Sequence, residues 1–175
     1  SYSNQIVITQ MYGEYNVPNI GFAIALGRHF GIADDQIADA LSQYTPESNR
    51  SQITKSGNNT VIKDAYNANP SSMQASLISF SKMAANVKIV VLGDMLELGE
   101  YANEEHKKVI NLAEQLQFDH MIFIGPLFME AGKQQKGHYF ENVESAKIHF
   151  AKADYNDALI LLKGSRGIAV EKILY

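Results

Sequence analysis

The sequence contains no cysteine, so its 175 residues offer no disulfide, thiolate metal site or cysteine nucleophile. No apolar run approaches the roughly 18 residues that a membrane-spanning helix needs. The formal net charge is −4, and because no basic stripe is present a nucleic-acid partner is disfavoured. Since 46% of the residues are apolar, we expect a globular protein. From the charge pattern and the short apolar runs we expect neither a nucleic-acid nor a membrane partner.

Several catalytic and binding motifs are also missing. The five histidines are scattered, and neither His-Glu-x-x-His nor His-x-His occurs, so the sequence predicts no metal site. The Gly-x-Ser-x-Gly turn of the serine hydrolases is absent. The phosphate-binding loop Gly-x-x-x-x-Gly-Lys-[Ser/Thr] is absent as well, and the segment Gly164–Gly167 lacks its spacing.

The chain divides into two regions that differ in their pattern of predicted strands and helices. The first covers residues 1–44 and predicts a strand over Gln5–Met11, a helix over Val17–Phe30 and a second helix over residues 34–41. The polar stretch Thr45–Gln52, with a single proline, is the predicted boundary.

After the boundary, short apolar strands alternate with helices. This alternation predicts a doubly wound, mostly parallel α/β sheet of the Rossmann-like type, preceded by the strand and helices of the first region. The predicted strands are Thr60–Lys63, Lys88–Leu92, His120–Ile124, His138–Phe140 and Ala158–Leu162. The predicted helices are Pro70–Met83, Asn103–Leu116, Leu127–Gly132, Val143–Ala151 and Gly167–Leu174.

Ligands of such sheets bind beyond the carboxyl ends of the strands, and polar residues collect there. The segment Asp64–Ser72 follows the first of these strands with an acid, a phenol and two amides. Asn69 and Pro70 suit a capped helix start, but capping does not explain Asp64, Tyr66 and Asn67 together. The sequence is compatible with two interpretations of this segment, a capped helix start and a functional loop.

Two further strand ends carry charge. Asp94 and Glu97 stand between glycines, where they could meet an ammonium group or a metal ion, although a glycine turn with solvated acids is the commoner case. His106 follows early in the next helix, a position more typical of a surface or capping residue than of a catalyst. The segment Lys163–Gly167 places two cations and a hydroxyl at a helix start, which favours anion binding over a charged turn.

Three motifs, in this order along the chain, resemble the Mur ligase family. They occupy Asp64–Met73, Val91–Gly99 and Leu162–Arg166, and the resemblance covers nearly the whole chain. The first two resemble most closely the branch that joins D-alanyl-D-alanine to UDP-N-acetylmuramoyl tripeptide. Sibling ligases that add diaminopimelate or lysine share the fold but do not usually carry these strings.

The resemblance implies a domain organisation and a chemistry. Residues 1–44 would be the tail of a central ATPase domain, and residues 45–175 the C-terminal Rossmann-like domain. Because the chain begins with Ser1 rather than Met, we expect a piece of a longer protein. The implied enzyme is a cytoplasmic, ATP-dependent ligase of peptidoglycan precursor synthesis, acting through an acyl phosphate.

Its substrates would be UDP-N-acetylmuramoyl tripeptide and D-alanyl-D-alanine, and its cofactors ATP and Mg²⁺, the metal held mainly by the central domain. Lacking the phosphate loop, this chain would close the ATP site and accept the dipeptide but be inactive alone. We expect a monomer that works with the upstream domains of its own chain, closing by a hinge at Thr45–Arg50.

The resemblance carries over residue by residue. It implies ATP contacts for Asn16, Asn19, Arg50 and Asp64, with Asn19 at the adenine and Asp64 at the ribose. Tyr15 stands where the family pattern has a histidine.

The catalytic and substrate-binding assignments combine the matched motifs with the chemistry of the side chains. The expected catalytic residues are Asn67, Asn69 and Lys163. The expected substrate-binding residues are Tyr66, Asp94, Glu97, Ser165 and Arg166. Asp94 and Glu97 would face the ammonium group of the dipeptide, while Ser165, Arg166 and Lys163 would face its carboxylate.

Three alternatives remain on the sequence alone. The chain could be a non-catalytic, Rossmann-like module that binds a small ligand, or a sibling Mur ligase that adds a different amino acid. It could also be a structural or interaction domain, which would leave the polar strand ends unexplained.

Overall fold

The structure is a computed structural model that describes residues 6–133 and 135–175. Two helices, α1 (Val17–His29) and α2 (Asp34–Gln43), follow a single turn of 3-10 helix at Glu14–Asn16. This confirms the two helices predicted in this region. Gly27 lets the two helices approach closely, because the side chain of Ile37 occupies the space that a Cβ would need.

The strand predicted over Gln5–Met11 is wrong for the described residues 6–11, which form no ladder. A strand requires backbone hydrogen bonds to a neighbour, and this segment pairs with none of the six strands. Ile6 and Ile8 are accordingly 93% and 81% exposed, while Gln5 lies outside the described residues.

Within the described residues, the sheet contains six strands in the order β1-β2-β6-β3-β4-β5, and only the β1–β2 pair is antiparallel. This confirms the predicted doubly wound, mostly parallel α/β fold. The strands are β1 (Gln52–Ser56), β2 (Asn59–Asp64), β3 (Lys88–Gly93), β4 (His120–Ile124), β5 (His138–Phe140) and β6 (Leu159–Lys163).

Strand β1 is missing from the sequence prediction. It forms a hairpin with β2 in which Ser56 faces Asn59, so the loop is only Gly57 and Asn58. Gly57 has φ +57°, the left-handed backbone that such two-residue turns favour. The Gly-Asn pair was therefore a readable hairpin signal.

Successive residues of the inner strands pack on opposite faces of the sheet. One face of the sheet packs against α3 (Pro70–Ser81), α4 (Ala102–Gln115) and α5 (Pro126–Ala131). The other packs against α6 (Val143–Ala153) and the C-terminal segment. Because both faces are covered, β3 and β6 are continuous apolar runs rather than alternating ones.

The final predicted helix, Gly167–Leu174, is not an α-helix. It consists of two short 3-10 segments, Arg166–Ile168 and Val170–Leu174, separated by Ala169 in the left-handed region at φ +53°. No helix in the described ranges is long and apolar enough to cross a bilayer.

The packing of α3 predicts a contrast between two neighbouring positions. Leu77 is fully buried against the sheet, whereas Ile78 is 36% exposed. We expect Leu77→Ala to lower the free energy of unfolding by about 2–5 kcal/mol, because it leaves a cavity in the core. Ile78→Ala should cost less than about 1 kcal/mol, since exposed helix positions tolerate alanine. Urea denaturation measures both, and equal losses would contradict this assignment of the buried face.

Candidate functional site

Lys163, the last residue of β6, forms a buried ion pair with Asp64 at the end of β2. The two residues are partners in the parallel register, and Nζ lies 2.8 Å from Oδ2. Their side chains are only 3% and 14% exposed. A charge buried to this degree is stable only when it is paired, so the Lys163 ammonium group is held against Asp64.

Tyr15 brings the N-terminal region onto the same carboxylate. Its hydroxyl donates to Asp64 Oδ2 at 3.1 Å and lies 3.3 Å from Ser51 Oγ. Burial, followed by the negative charge of Asp64, raises the pKa of the Tyr15 phenol. The residue that replaces the family histidine is therefore a neutral hydrogen-bond donor that joins the N-terminal region to the sheet domain.

Asn16 strengthens this junction. Its Nδ2 donates to the Tyr12 carbonyl at 2.7 Å and to Ser51 Oγ at 3.0 Å. Its Oδ1 accepts from Asn19 Nδ2 at 3.1 Å, and Asn19 is exposed at the surface. Asn16 is thus engaged in holding the junction, whereas Asn19 retains a surface position. Their predicted ATP contacts stay predictions.

Arg50, Tyr66 and Arg166 form an exposed stack at the carboxyl edge of the sheet. The guanidinium carbon of Arg50 lies 3.5 Å from the centroid of the Tyr66 ring, and that of Arg166 lies 5.5 Å from it. Such cation–π contacts orient a guanidinium group while leaving its N–H donors available. The stack brings a predicted ATP contact and two predicted substrate contacts together.

The two asparagines expected at the reaction centre have local partners. Asn69 caps α3, because its Oδ1 accepts from the backbone N–H of Ser72 at 2.9 Å. The Oδ1 of Asn67 accepts from the backbone N–H of Ala68 at 2.8 Å. Both side chains are exposed, and their catalytic role stays a prediction, beside the capping role that the structure describes for Asn69.

Asp94 is fully buried, and its carboxylate faces inward. Its two oxygens accept from the backbone N–H groups of Leu127 and Phe128, each at 2.9 Å. Burial raises the pKa of this carboxyl, and the two N–H bonds oppose that rise. Its predicted contact with an ammonium group stays a prediction, and such a contact would have to compete with these bonds.

The loop 94–98, which follows β3, is tied to the loop 164–167, which follows β6. The N–H of Leu96 donates to Ser165 Oγ at 3.0 Å, and the N–H of Ser165 donates to the Asp94 carbonyl at 3.1 Å. Ser165 is accordingly 5% exposed and acts within this link. Its predicted contact with the dipeptide stays a prediction.

Glu97 and Arg166 are the exposed charges of these two linked loops. Glu97 has φ +69°, a left-handed conformation that costs a residue with a Cβ about 1–2 kcal/mol. Opposite charges on adjoining loops suit a ligand with both an ammonium and a carboxylate group.

The sequence did not identify His106 as part of this region. It is fully buried in the first part of α4, and its Nε2 accepts from the backbone N–H of Met95 at 3.0 Å. A surface position was therefore wrong. No local sequence signal gives the position of a single histidine relative to a loop eleven residues earlier.

The linker between the two regions has an unusual backbone. Ser48, Asn49 and Ser51 all have positive φ, between 51° and 57°. Three such residues within four positions make this segment costly to hold in one conformation, which supports the predicted hinge at Thr45–Arg50. The hinge itself stays a prediction.

The family model described as Mur ligase, glutamate ligase domain, matches residues 49–166. The UDP-N-acetylmuramoyl-tripeptide–D-alanyl-D-alanine ligase of Bacillus subtilis is 35% identical over 175 residues, covering 93% of this chain and 37% of that protein.

Further proteins of the same family are similar to this chain. The enzyme of the same name from Mycobacterium bovis is 39% identical over 120 residues, which cover 65% of this chain and 24% of that protein. A crystal structure of MurF from Acinetobacter baumannii superimposes with a TM-score of 0.85 at 26% identity, covering 97% of this chain and 39% of that one. The chain thus spans well under half the length of these relatives.

The buried ion pair predicts non-additive effects on stability. Asp64→Asn should lower the free energy of unfolding by about 3–5 kcal/mol, because it leaves the Lys163 ammonium group buried without a counter-charge. Lys163→Met should also destabilise, and the double variant should lose less than the two single losses added together. Guanidinium denaturation of the four proteins measures this, and strictly additive losses would refute the pairing.

The buried imidazole predicts a pH dependence of stability. Burial lowers the pKa of His106 below its usual value, so the unfolded chain binds a proton more readily than the folded one. The contribution of neutral His106 is complete above about pH 6.5, the unperturbed pKa, and is lost as the pH falls below it.

We therefore expect the wild type to lose more stability than His106→Gln between pH 7.5 and 5.5. The pKa of His149 is also lowered, by burial and by His138 and His120, but it contributes to both proteins and cancels. Thermal unfolding across this range provides the measurement, and parallel curves for the two proteins would rule out the assignment.

Proposed function

The chain belongs to the Mur ligase family, and from that premise we propose that it is one lobe of a D-alanyl-D-alanine-adding ligase. Mur ligases are ATP-dependent ligases that use Mg²⁺. The complete enzyme would join the dipeptide to UDP-N-acetylmuramoyl tripeptide in peptidoglycan precursor synthesis. This lobe would close over the nucleotide and present the amine to the activated carboxylate.

The observation that carries the proposal is the placement of Glu97 and Arg166. They are the exposed charges of two loops that are hydrogen-bonded to each other at the carboxyl edge of the sheet. A dipeptide is a zwitterion, so Glu97 would bind its ammonium group and Arg166 its carboxylate. Asp94 would then hold the loop from beneath rather than meet the ligand directly.

The nucleotide side of the proposal depends on the Arg50–Tyr66–Arg166 stack. Arg50 is exposed and oriented by the Tyr66 ring 3.5 Å away, so its donors could reach phosphate oxygens. Asn19 would lie at the adenine and Asp64 at the ribose. Among the described residues no group of three or more acids or histidines is placed to hold a metal ion. Mg²⁺ would be held mainly by the central domain, as the resemblance implies.

The domain assignment is supported by exposed apolar surface in the first region. None of the residues of α1 is buried, and Phe22 and Phe30 are 68% and 76% exposed. Large apolar side chains exposed together mark a surface that contacts another part of a protein. We propose that residues 1–44 belong to the central ATPase domain, whose remaining residues would cover this surface.

The chemistry proposed for this lobe is positioning. The amine must approach the carbonyl carbon of the acyl phosphate within a few ångströms, with its lone pair directed at that carbon, and holding it there is worth several kcal/mol of the barrier. Glu97 and Arg166 would fix both ends of the dipeptide. The ATP-side residues would then bring this lobe against the carboxylate that ATP has activated.

The proposal predicts which variant loses affinity for the dipeptide. In the longer protein that carries this chain, Glu97→Gln should raise the KM for D-alanyl-D-alanine about tenfold, as expected when a charge-assisted bond is lost. Glu100→Gln, which changes an exposed acid three residues away, is the matched control and should leave the KM unchanged.

Phosphate release at varied dipeptide concentration measures the KM for the dipeptide in both variants. The 175 residues alone should release none, since they contain no phosphate-binding loop. Ligation by the isolated chain would refute the proposal that it needs the other domains. Preferential use of diaminopimelate or lysine by the longer protein would indicate a sibling ligase. An unchanged KM in Glu97→Gln would remove the proposed ammonium site.

A further inference from the structure

His106 lies directly beneath the loop 94–98 that carries Glu97. It is fully buried, and its ring meets that of Phe128 edge to face, with centroids 4.5 Å apart and planes at 80°. The mechanism proposed above assigns it no task. A fully buried polar ring so close to a ligand-binding loop needs a physical account.

The hydrogen bonds of His106 determine its protonation state. The carbonyl of Ala102, 2.6 Å from Nδ1, can only accept, so Nδ1 carries the proton. The N–H of Met95 can only donate, so Nε2 presents its lone pair. His106 is therefore neutral, with both nitrogens satisfied by backbone groups.

This pattern excludes a proton-transfer role in a charge-relay arrangement. Asp94 Oδ1 lies 3.6 Å from Nε2, and both Asp94 oxygens already accept backbone N–H groups. Ser165 Oγ accepts from the N–H of Leu96, and the Nε2 lone pair of His106 is already taken by the N–H of Met95, so the serine hydroxyl cannot donate to it. Asp94, His106 and Ser165 are close in space, but they hold the backbone instead of forming a nucleophilic triad.

The consecutive amides of the loop are each held by a different element. The N–H of Asp94 donates to the Ile124 carbonyl of β4 at 2.9 Å, and that of Leu96 donates to Ser165 after β6. Between them, the N–H of Met95 donates to His106 of α4. Three successive fixed amides leave the backbone little freedom before Glu97.

Glu97 depends on this restraint because its backbone is left-handed at φ +69°. An exposed glutamate would leave that conformation if the preceding residues were released. We propose that His106 is a positioning residue that fixes the loop 94–98 and thereby holds Glu97 for the ammonium group of the incoming dipeptide. This inference rests on the proposed function of the edge.

Two substitutions of His106 test the hydrogen bond at Nε2 separately from the one at Nδ1. His106→Gln places an amide oxygen near the position of Nε2 and can still accept from Met95. His106→Asn places its amide near Nδ1, so it can still donate to Ala102 but leaves the Met95 N–H without a partner. Both remove the ring contact with Phe128.

The first measurement uses the 175-residue chain and is independent of the ligase reaction. Hydrogen exchange at the Met95 and Leu96 amides should accelerate at least about tenfold in His106→Asn and stay near wild type in His106→Gln, since protection follows local opening. Equal exchange in the two variants would overturn the restraint.

The second measurement is kinetic and uses the longer protein that carries this chain. His106→Asn should raise the KM for D-alanyl-D-alanine about tenfold, with the KM for ATP within about twofold of wild type. His106→Gln should restore the dipeptide KM. A merely structural role would lower the active fraction and kcat instead, or raise both KM values together, and either result refutes positioning.

The two arms distinguish the possible failures. If exchange accelerates but the dipeptide KM does not move, His106 restrains the loop without positioning a ligand, and the inference is wrong. If the wild-type longer protein does not join D-alanyl-D-alanine at all, the proposed function fails, and the positioning role for that dipeptide fails with it.

Discussion

The insertion of β6 between β2 and β3 is the constraint on which the candidate site depends. Because β6 pairs in parallel with both neighbours, the three loops that follow these strands leave the sheet at one edge. The Lys163–Asp64 pair joins β6 to β2 at that edge, and the hydrogen bonds between the loops 94–98 and 164–167 join β6 to β3. A chain order that separated these strands would scatter the same residues over the surface.

Buried polar groups support the exposed ones throughout this edge. The side chains of Asp94, His106 and Ser165 are buried, and each accepts a hydrogen bond from a backbone N–H group. Glu97 and Arg166, on the same two loops as Asp94 and Ser165, are exposed. A low-dielectric interior strengthens such hydrogen bonds and penalises any unpaired group, so the supporting layer is rigid. A lobe that positions an amine would require this combination of rigid, buried supporting groups and exposed charges.

Much of this arrangement was predictable from the sequence, and the failures have physical reasons. Apolar periodicity located α1 to α6 and five of the six strands, since burial on two faces leaves a strong pattern. Residues 6–11 have the composition of a strand but pair with none of the six strands. The motifs brought Asp64, Lys163 and Arg166 to one edge, whereas burial decided that Asp94 points inward. Contacts such as Met95 with His106 depend on how α4 packs on the sheet, which local sequence does not encode.

We propose that the edge formed by the loops 94–98 and 164–167 binds the dipeptide. A crystal structure of the longer protein with an ATP analogue and D-alanyl-D-alanine would locate the bound dipeptide. We expect it between these loops, with its ammonium nitrogen about 3 Å from a Glu97 oxygen and its carboxylate within reach of Arg166. A dipeptide bound away from this edge, with Glu97 and Arg166 facing solvent, would refute the proposal.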